Sequence, residues 1–114
     1  MLDNSKLNKI IDCILKVIIP DTIILFGSQA RGDARPDSDY DILVIKTELS
    51  GKDEKSATDK IYRSMIDSDV CVDIIVKSGE NLEKSKNLLV SVVKEALTEG
   101  IVIYGSDRFM AKKS

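Results

Sequence analysis

The amino-acid sequence predicts an α/β (α+β) fold, in which a small mixed sheet packs against two or more helices. Short apolar runs rich in β-branched residues, bounded by Gly, Pro or Asp, alternate along the chain with segments of helical periodicity. The length of 114 residues suits one domain, and a domain of this size buries roughly two-thirds of the surface that its unfolded chain exposes. Hydrophobic residues make up 43% of the chain, which is enough to build such a core.

The predicted helices and strands follow from the spacing of the apolar residues. Six of these recur at helical spacing before Pro20 and predict an amphipathic first helix: Leu7, Ile10, Ile11, Ile14, Leu15 and Ile18. Strands are predicted at about 22–26, 39–46, 70–76 and 101–104. Further helices are predicted just after Ser28, near 54–66 and over 82–99, the last in one or two pieces. We expect residues 1–105 to form a single domain and residues 106–114 to form a flexible C-terminal tail.

The composition excludes several classes of function. The chain has 17 Lys and Arg against 19 Asp and Glu, a net charge of −2, so we expect no tight binding of nucleic acid and no polymerase. It contains no histidine, which excludes Ser-His and Cys-His catalysis and leaves carboxylates as candidate metal ligands. No apolar stretch approaches the roughly 20 residues that span a bilayer. The N-terminus lacks a signal pattern and the two cysteines are typical of reduced thiols, so we expect a cytoplasmic protein.

The stretch from Gly27 to Asp41, GSQARGDARPDSDYD, is the strongest candidate for a functional site. Alternate residues of a strand point to the same face, so Asp39 and Asp41 would direct two carboxylates to a place where a divalent ion can bind both. Gly27 has no Cβ and lets a ligand approach the backbone closely. Ser28 is placed to cap the short helix that follows, which would leave N–H groups free for a phosphate. The stretch therefore predicts a phosphate site that faces a metal site.

Asp73 is a second candidate, because it is the single charged residue in the predicted strand VCVDIIV. A carboxylate in the middle of such a strand is costly unless something pairs with it. Two interpretations follow from the residues alone: a salt bridge with a lysine or arginine, or a third metal ligand beside Asp39 and Asp41.

Three further polar residues have both a structural and a functional interpretation. Arg31 is either a solvated charge or a polyphosphate ligand, because its fork of donors matches phosphate oxygens. Arg35 is more typical of a solvated loop charge. Tyr62, in the predicted helix near 54–66, is more typical of a half-buried helix residue than of a platform for adenine.

The motif around these aspartates resembles that of a known family. Gly27-Ser28, separated by ten residues from Asp39-x-Asp41, is similar to the signature of the DNA polymerase β-type nucleotidyltransferase superfamily. The longer set, with Ala30-Arg31-Gly32 after the first pair and Ser38 before the second, resembles its small prokaryotic branch, the minimal nucleotidyltransferases (MNT). The resemblance covers roughly residues 5–104 and implies the polymerase β-like nucleotidyltransferase fold.

The resemblance also implies the composition of the site. The family has a third carboxylate in an apolar strand, which favours the metal-ligand interpretation of Asp73. Two Mg²⁺ ions, bound by the carboxylates, would hold the attacking and leaving oxygens, with ATP as the substrate. The implied catalytic and metal-binding residues are Asp39, Asp41 and Asp73, and the implied nucleotide-binding residues are Gly27, Ser28, Arg31 and Ser38.

Three functions are open after this comparison of motifs. The first is an enzyme that transfers AMP from ATP to a hydroxyl on a partner protein, since MNT proteins of this size are often antitoxins paired with a HEPN-domain toxin, and some adenylylate it. The second is a module of the same fold that neutralises its partner by contact alone. The third, an antibiotic-modifying nucleotidyltransferase, ranks lowest because the sequence shows no second domain to build an aminoglycoside pocket. The intact Gly-Ser pair and the three aspartates favour the enzyme.

Overall fold

The structure is a computed structural model that describes residues 4–35, 38–86 and 91–111. In chain order its helices and strands are α1 (Asn4–Leu15), β1 (Thr22–Phe26), α2 (Ser28–Arg31), β2 (Tyr40–Lys46), α3 (Glu54–Ser64), β3 (Val72–Ser78), α4 (Gly79–Lys86), α5 (Val92–Glu99) and β4 (Ile101–Gly105). Within these described residues, no helix has both the length and the apolar character that crossing a membrane requires.

The four strands form one mixed sheet in the order β3-β2-β1-β4. β1 pairs antiparallel with both β2 and β4, whereas β2 and β3 are parallel. A parallel pair needs a crossover connection, and α3 supplies it between β2 and β3. The predicted mixed sheet packed against helices is confirmed.

Helices cover both faces of the sheet, so the two central strands are almost entirely buried. Along β2, successive apolar residues enter different clusters because side chains alternate across a strand. Ile42 and Val44 pack with residues of α1 and α3, whereas Leu43 and Ile45 pack with residues of α4 and α5. By the same alternation Asp41 lies on the α5 face of the sheet, at the end of β2 where the strand begins.

The boundaries of β3 and of the helical segment that follows it differ from the predicted ones. β3 runs from residue 72 to 78, because parallel pairing with β2 continues to the register pair Lys46 and Ser78. The segment predicted as helix over 82–99, in one or two pieces, is two helices, and α4 begins earlier, at Gly79. The Ser91 hydroxyl caps α5 by accepting hydrogen bonds from the N–H groups of Val93 and Lys94. Residues 87–90 lie outside the described residues.

Residues 106–111 of the expected C-terminal tail pack against the domain in this structure. Phe109 and Met110 pack against the apolar cluster below α5. The Ala111 N–H donates to the Leu97 carbonyl at 2.8 Å, and the Ser106 N–H donates to the Asp21 carbonyl at 3.1 Å. The two apolar side chains in the tail, Phe109 and Met110, explain this packing, because burying them offsets the entropy of ordering the segment. Residues 112–114 lie outside the described residues.

Asp21 joins the turn after β2 to the C-terminal segment, at the end of the sheet opposite Asp41. Its carboxylate Oδ2 accepts hydrogen bonds from the Thr47 N–H at 2.7 Å and from the Thr47 hydroxyl at 2.9 Å. The hydrogen bond from the Thr47 N–H is the main reason that the pKa of Asp21 lies below its usual value of 3.8, and Arg108 lowers it further. The ionised carboxylate therefore stabilises the folded state.

We expect Asp21→Asn to destabilise the fold at neutral pH by up to about 3 kcal/mol, because hydrogen bonds to a charged acceptor are lost. Since the folded pKa is below 3.8, the stabilisation is complete above that value and declines as pH falls through the folded pKa. Urea denaturation at pH 7 and at several acidic pH values measures both effects. Asp107→Asn, at an exposed position in the same C-terminal segment, is the control. Equal stability of the two variants at pH 7 would contradict the role of Asp21.

Candidate functional site

The three predicted carboxylates lie at the same end of the parallel β2–β3 pair. Asp41 is the register partner of Asp73, and register partners on parallel strands direct their side chains to the same face. Asp39 is two residues before Asp41, immediately before β2 begins at Tyr40. The N–H of the buried Tyr40 donates to the Cys71 carbonyl at 3.0 Å, which ties the start of β2 to the residue before β3. The structure thus places Asp39 beside the Asp41–Asp73 pair.

The pKa of Asp41 reflects the proximity of Asp39 and Asp73. Burial raises the pKa of Asp41 above its usual value, and the charges of Asp73, Asp39 and Glu95 raise it further, whereas Arg31 lowers it. Asp39 and Asp73 are exposed and Asp41 is partly buried. A carboxylate surrounded by other carboxylates is the arrangement that a bound cation would relieve.

Gly27 lies against the Asp41 carboxylate and has a backbone conformation that suits glycine. Its φ is 75°, in the region that L side chains rarely adopt. A Cβ at this position would overlap Oδ2 of Asp41. The requirement for glycine is therefore both conformational and steric, and it joins the loop after β1 to the carboxylate on β2.

Ser28 does not cap α2 as expected. It is the first residue of the helix, and Gly27 is the cap, with no side-chain hydrogen bond to the helix. The N–H groups at the start of α2 are therefore not used by a side-chain cap. Ser28 and Gly27 lie next to Asp41, where a phosphate group could approach them.

Ser38 holds the loop that leads into Asp39. Its hydroxyl accepts a hydrogen bond from the Arg35 N–H at 2.9 Å, and its carbonyl accepts one from Gln29 Nε2 at 3.1 Å. Ser38 therefore acts on the loop in this structure, and its contact with a nucleotide stays a prediction. Gln29 is a residue that sequence reasoning missed, because its partner is a backbone atom whose position only the folded loop defines.

Arg31 is paired with two carboxylates. Its Nε lies 3.3 Å from Oδ2 of Asp33, and its Nη1 lies 3.2 Å from Oε1 of Glu95. Glu95 is in the first turn of α5, 64 residues away along the chain. Sequence analysis missed Glu95, because an exposed acidic residue in a first helical turn is commonplace and no local pattern indicates a distant partner.

Tyr62 has a structural role beside the site. Its hydroxyl accepts a hydrogen bond from the Ile74 N–H at 2.8 Å. Because β3 is an edge strand, this contact satisfies a backbone group that no neighbouring strand can reach. The interpretation of Tyr62 as a helix residue, half-exposed on α3, is confirmed.

The chemistry of the donor set fits Mg²⁺. Among the residues that the structure describes, no three acidic or cysteine side chains form a ready-made metal cage. Mg²⁺ does not need one, because it usually keeps several waters and binds one or two carboxylates together with substrate phosphates. The paired Asp41 and Asp73, with Asp39 beside them and a glycine turn against Asp41, provide an open site of this kind.

Comparisons with known proteins agree with this arrangement. The family described as polymerase beta, nucleotidyltransferase matches residues 8–109. A Methanocaldococcus jannaschii protein provisionally named a protein adenylyltransferase is 37% identical over 82 residues, which cover 72% of this chain and 76% of the relative. The region matched by the family model includes the whole stretch from Gly27 to Asp41 and also Asp73.

Solved structures share the fold. A toxin–antitoxin structure with AMP-PNP is similar, with a TM-score of 0.57 and 26% identity over 89% of this chain and 74% of that one. A Shewanella oneidensis MNT antitoxin, in complex with a tri-AMPylated HEPN toxin, gives a TM-score of 0.53 and 22% identity over 92% of this chain and 74% of that one. At 22% identity, the similarity to the Shewanella structure shows only that the fold is shared. The polymerase β-like fold expected from the motif is confirmed.

We expect Asp41→Asn to stabilise the protein in the absence of metal. The pKa of Asp41 is raised above 3.8 in the folded state, so the fold loses stability as pH rises from that value through the folded pKa, and the loss persists at pH 7. The neutral amide removes this loss, and melting with EDTA at pH 7 should show a rise of roughly 1–4 °C. Asp12→Asn, at an exposed position on α1, should not change the melting temperature. A lower melting temperature for Asp41→Asn would contradict the repulsion.

Two glycine variants test the contact between Gly27 and Asp41. Gly27 and Gly32 both have positive φ, but a Cβ at Gly32 would meet nothing within 4 Å. Gly32→Ala should cost about 1–2 kcal/mol for its conformation alone. Gly27→Ala should cost at least about 1 kcal/mol more, because a φ of 75° with a ψ of −155° is essentially limited to glycine and because the Asp41 carboxylate must move. Equal losses in urea denaturation would show that the carboxylate does not press against Gly27.

Proposed function

Because the chain belongs to the polymerase beta nucleotidyltransferase family, we propose that it transfers AMP from ATP, with Mg²⁺, to a hydroxyl group on a partner protein. We further propose that the partner is a HEPN-domain toxin and that the chain is its antitoxin, acting in the cytoplasm, where ATP is plentiful. The observation that carries the proposal is the pairing of Asp41 with Asp73, with Asp39 beside them and Gly27 against Asp41.

The carboxylates have different positions and therefore different roles. Asp39 and Asp41 lie beside the loop of Gly27 and would hold metal together with the triphosphate, whereas Asp73 and Asp41 would share a second ion. When bound, the two Mg²⁺ ions would offset the negative charge on the attacking and leaving oxygens. Asp73 lies exposed on the edge strand, so an acceptor hydroxyl on a docked partner would be able to reach its carboxylate, which would accept the proton.

The loop after β1 would hold the leaving group. Gly27 would offer its backbone N–H, and Ser28 its hydroxyl and the unused N–H at the start of α2, to the β- and γ-phosphates. Arg31, at the end of the same short helix, would reach these phosphates with its guanidinium. Ser38 would contribute by setting the path of the loop into Asp39. In this arrangement the residues position the triphosphate, and positioning is a large part of phosphoryl-type transfer.

The openness of the site supports a protein acceptor. Asp39 and Asp73 are exposed, so a docked protein could reach both carboxylates. A docked partner would complete the site and bring its own hydroxyl group. The name of the Methanocaldococcus relative and the AMPylated toxin in the Shewanella complex support the same acceptor class.

Mixing the purified chain with its HEPN partner, Mg²⁺ and ATP should add AMP to a tyrosine, serine or threonine of the partner, visible by mass spectrometry. The double variant Asp39→Asn/Asp41→Asn should lower transfer by more than about a hundredfold, since it removes charge stabilisation of several kcal/mol. Asp107→Asn, at an exposed tail position, should transfer AMP at the wild-type rate.

The same samples separate catalysis from neutralisation by contact. The double variant should still bind the partner, because Asp39 and Asp41 would bind the metal ions and not the partner. It should nevertheless fail to neutralise the toxin in cells. If the double variant neutralises the toxin as well as wild type does, and no adenylylated partner forms, the chain is a contact antitoxin and the proposed activity is refuted.

A further inference from the structure

The ion pair between Arg31 and Glu95 joins α2, the short helix after β1, to α5. Arg31 is the last residue of α2, and Glu95 is in the first turn of α5. The Nη1–Oε1 distance is 3.2 Å, and the Arg31 Nε also contacts Asp33. The guanidinium of Arg31 therefore contacts two carboxylates in this structure.

Glu95 is held firmly while its own side chain remains accessible. Its neighbour Ala96 is buried, as are Val93 and Leu97, and these residues pack α5 against the sheet. The Ser91 hydroxyl caps the same helix. The carboxylate of Glu95 is thus presented from a rigid element, and it does not follow Arg31 if that side chain moves.

The Arg31–Glu95 ion pair adds little to the stability of the fold, so phosphate oxygens could readily replace Glu95 as the partner of Arg31. The side chains of Arg31 and Glu95 are 44% and 38% exposed, and ion pairs this exposed contribute little to folding. A triphosphate offers the same guanidinium several charged oxygens in a geometry that it can bind in bidentate fashion. Both side chains also lie close enough to Asp41 to change its pKa, which Glu95 raises and Arg31 lowers.

We propose that Glu95 is a positioning residue that holds Arg31 while the site is empty and gives it up to the β- and γ-phosphates of the incoming nucleotide. When pyrophosphate leaves, Glu95 takes Arg31 back. This inference rests on the proposed function. It means that Glu95 competes with the polyphosphate for Arg31, so it weakens binding of ATP and of pyrophosphate and assists product release.

The test is calorimetric titration of the full chain, in Mg²⁺, with ATP, pyrophosphate and AMP. Glu95→Ala should bind ATP and pyrophosphate about two- to fivefold more tightly than wild type, the range expected for releasing one exposed ion pair. Its affinity for AMP should be unchanged, because AMP lacks the β- and γ-phosphates. Glu99→Ala, one turn further along α5 and more exposed than Glu95, removes the same charge and should change none of the three affinities.

The Arg31→Ala background distinguishes a held arginine from simple repulsion. There, Glu95→Ala should give no further gain, because the residue for which Glu95 competes is absent. A gain that persists in Arg31→Ala would show that Glu95 acts directly on the phosphates and would overturn the proposal. So would an equal gain for AMP, or unchanged affinities in Glu95→Ala with a wild-type melting temperature.

The two proposals fail in different ways. A wild-type chain that binds neither ATP nor pyrophosphate would overturn the proposed function, and the role of Glu95 with it. A wild-type chain that binds both, together with a Glu95→Ala variant of unaltered affinity, would overturn the role of Glu95 alone.

Discussion

The site depends on one constraint, the parallel in-register pairing of β2 with β3. This pairing places Asp73 directly opposite Asp41. Side chains alternate along a strand, so a shift of one residue in either strand would send one of these carboxylates to the opposite face of the sheet. The register is held by the apolar side chains that follow on both strands, which must enter the clusters on their own faces. The apolar core thus determines the position of the charged site.

The same pairing makes the site unfavourable in the absence of a counter-charge. Burial and neighbouring carboxylates raise the pKa of Asp41. Its carboxylate lies so close to Gly27, a glycine with positive φ, that a Cβ there would not fit. At the other end of the strands the opposite holds, because Asp21 is satisfied by Thr47 and has a lowered pKa. The sheet therefore combines a stabilising carboxylate at one end with mutually repelling carboxylates at the other. A pKa perturbed in this way is typical of sites that bind cations or charged ligands.

Under the proposed function, Arg31 would have two kinds of partner. In the structure its guanidinium contacts Asp33 and Glu95, whereas the proposed function gives it to a nucleotide. These are compatible, because an exposed ion pair is weak enough to be replaced by a polyphosphate. The helix that carries Glu95 is anchored by its own buried face, so the exchange requires movement of a side chain and no movement of the fold.

The sequence by itself determined the order of helices and strands, the glycine and the two aspartates of one loop, and Asp73 as an anomalous charge in an apolar strand. These are local features: periodicity of apolar residues and the spacing of a motif within about fifteen positions. It did not determine the contact of Glu95 with Arg31, the hydrogen bond from Gln29 to Ser38, the packing of Phe109 and Met110, or the cap of α2 by Gly27 in place of Ser28. Most of these contacts join segments distant in sequence, and the others depend on the conformation of a single loop. Only the tertiary structure could decide them, because which polar groups meet depends on how the apolar faces of the sheet and helices pack.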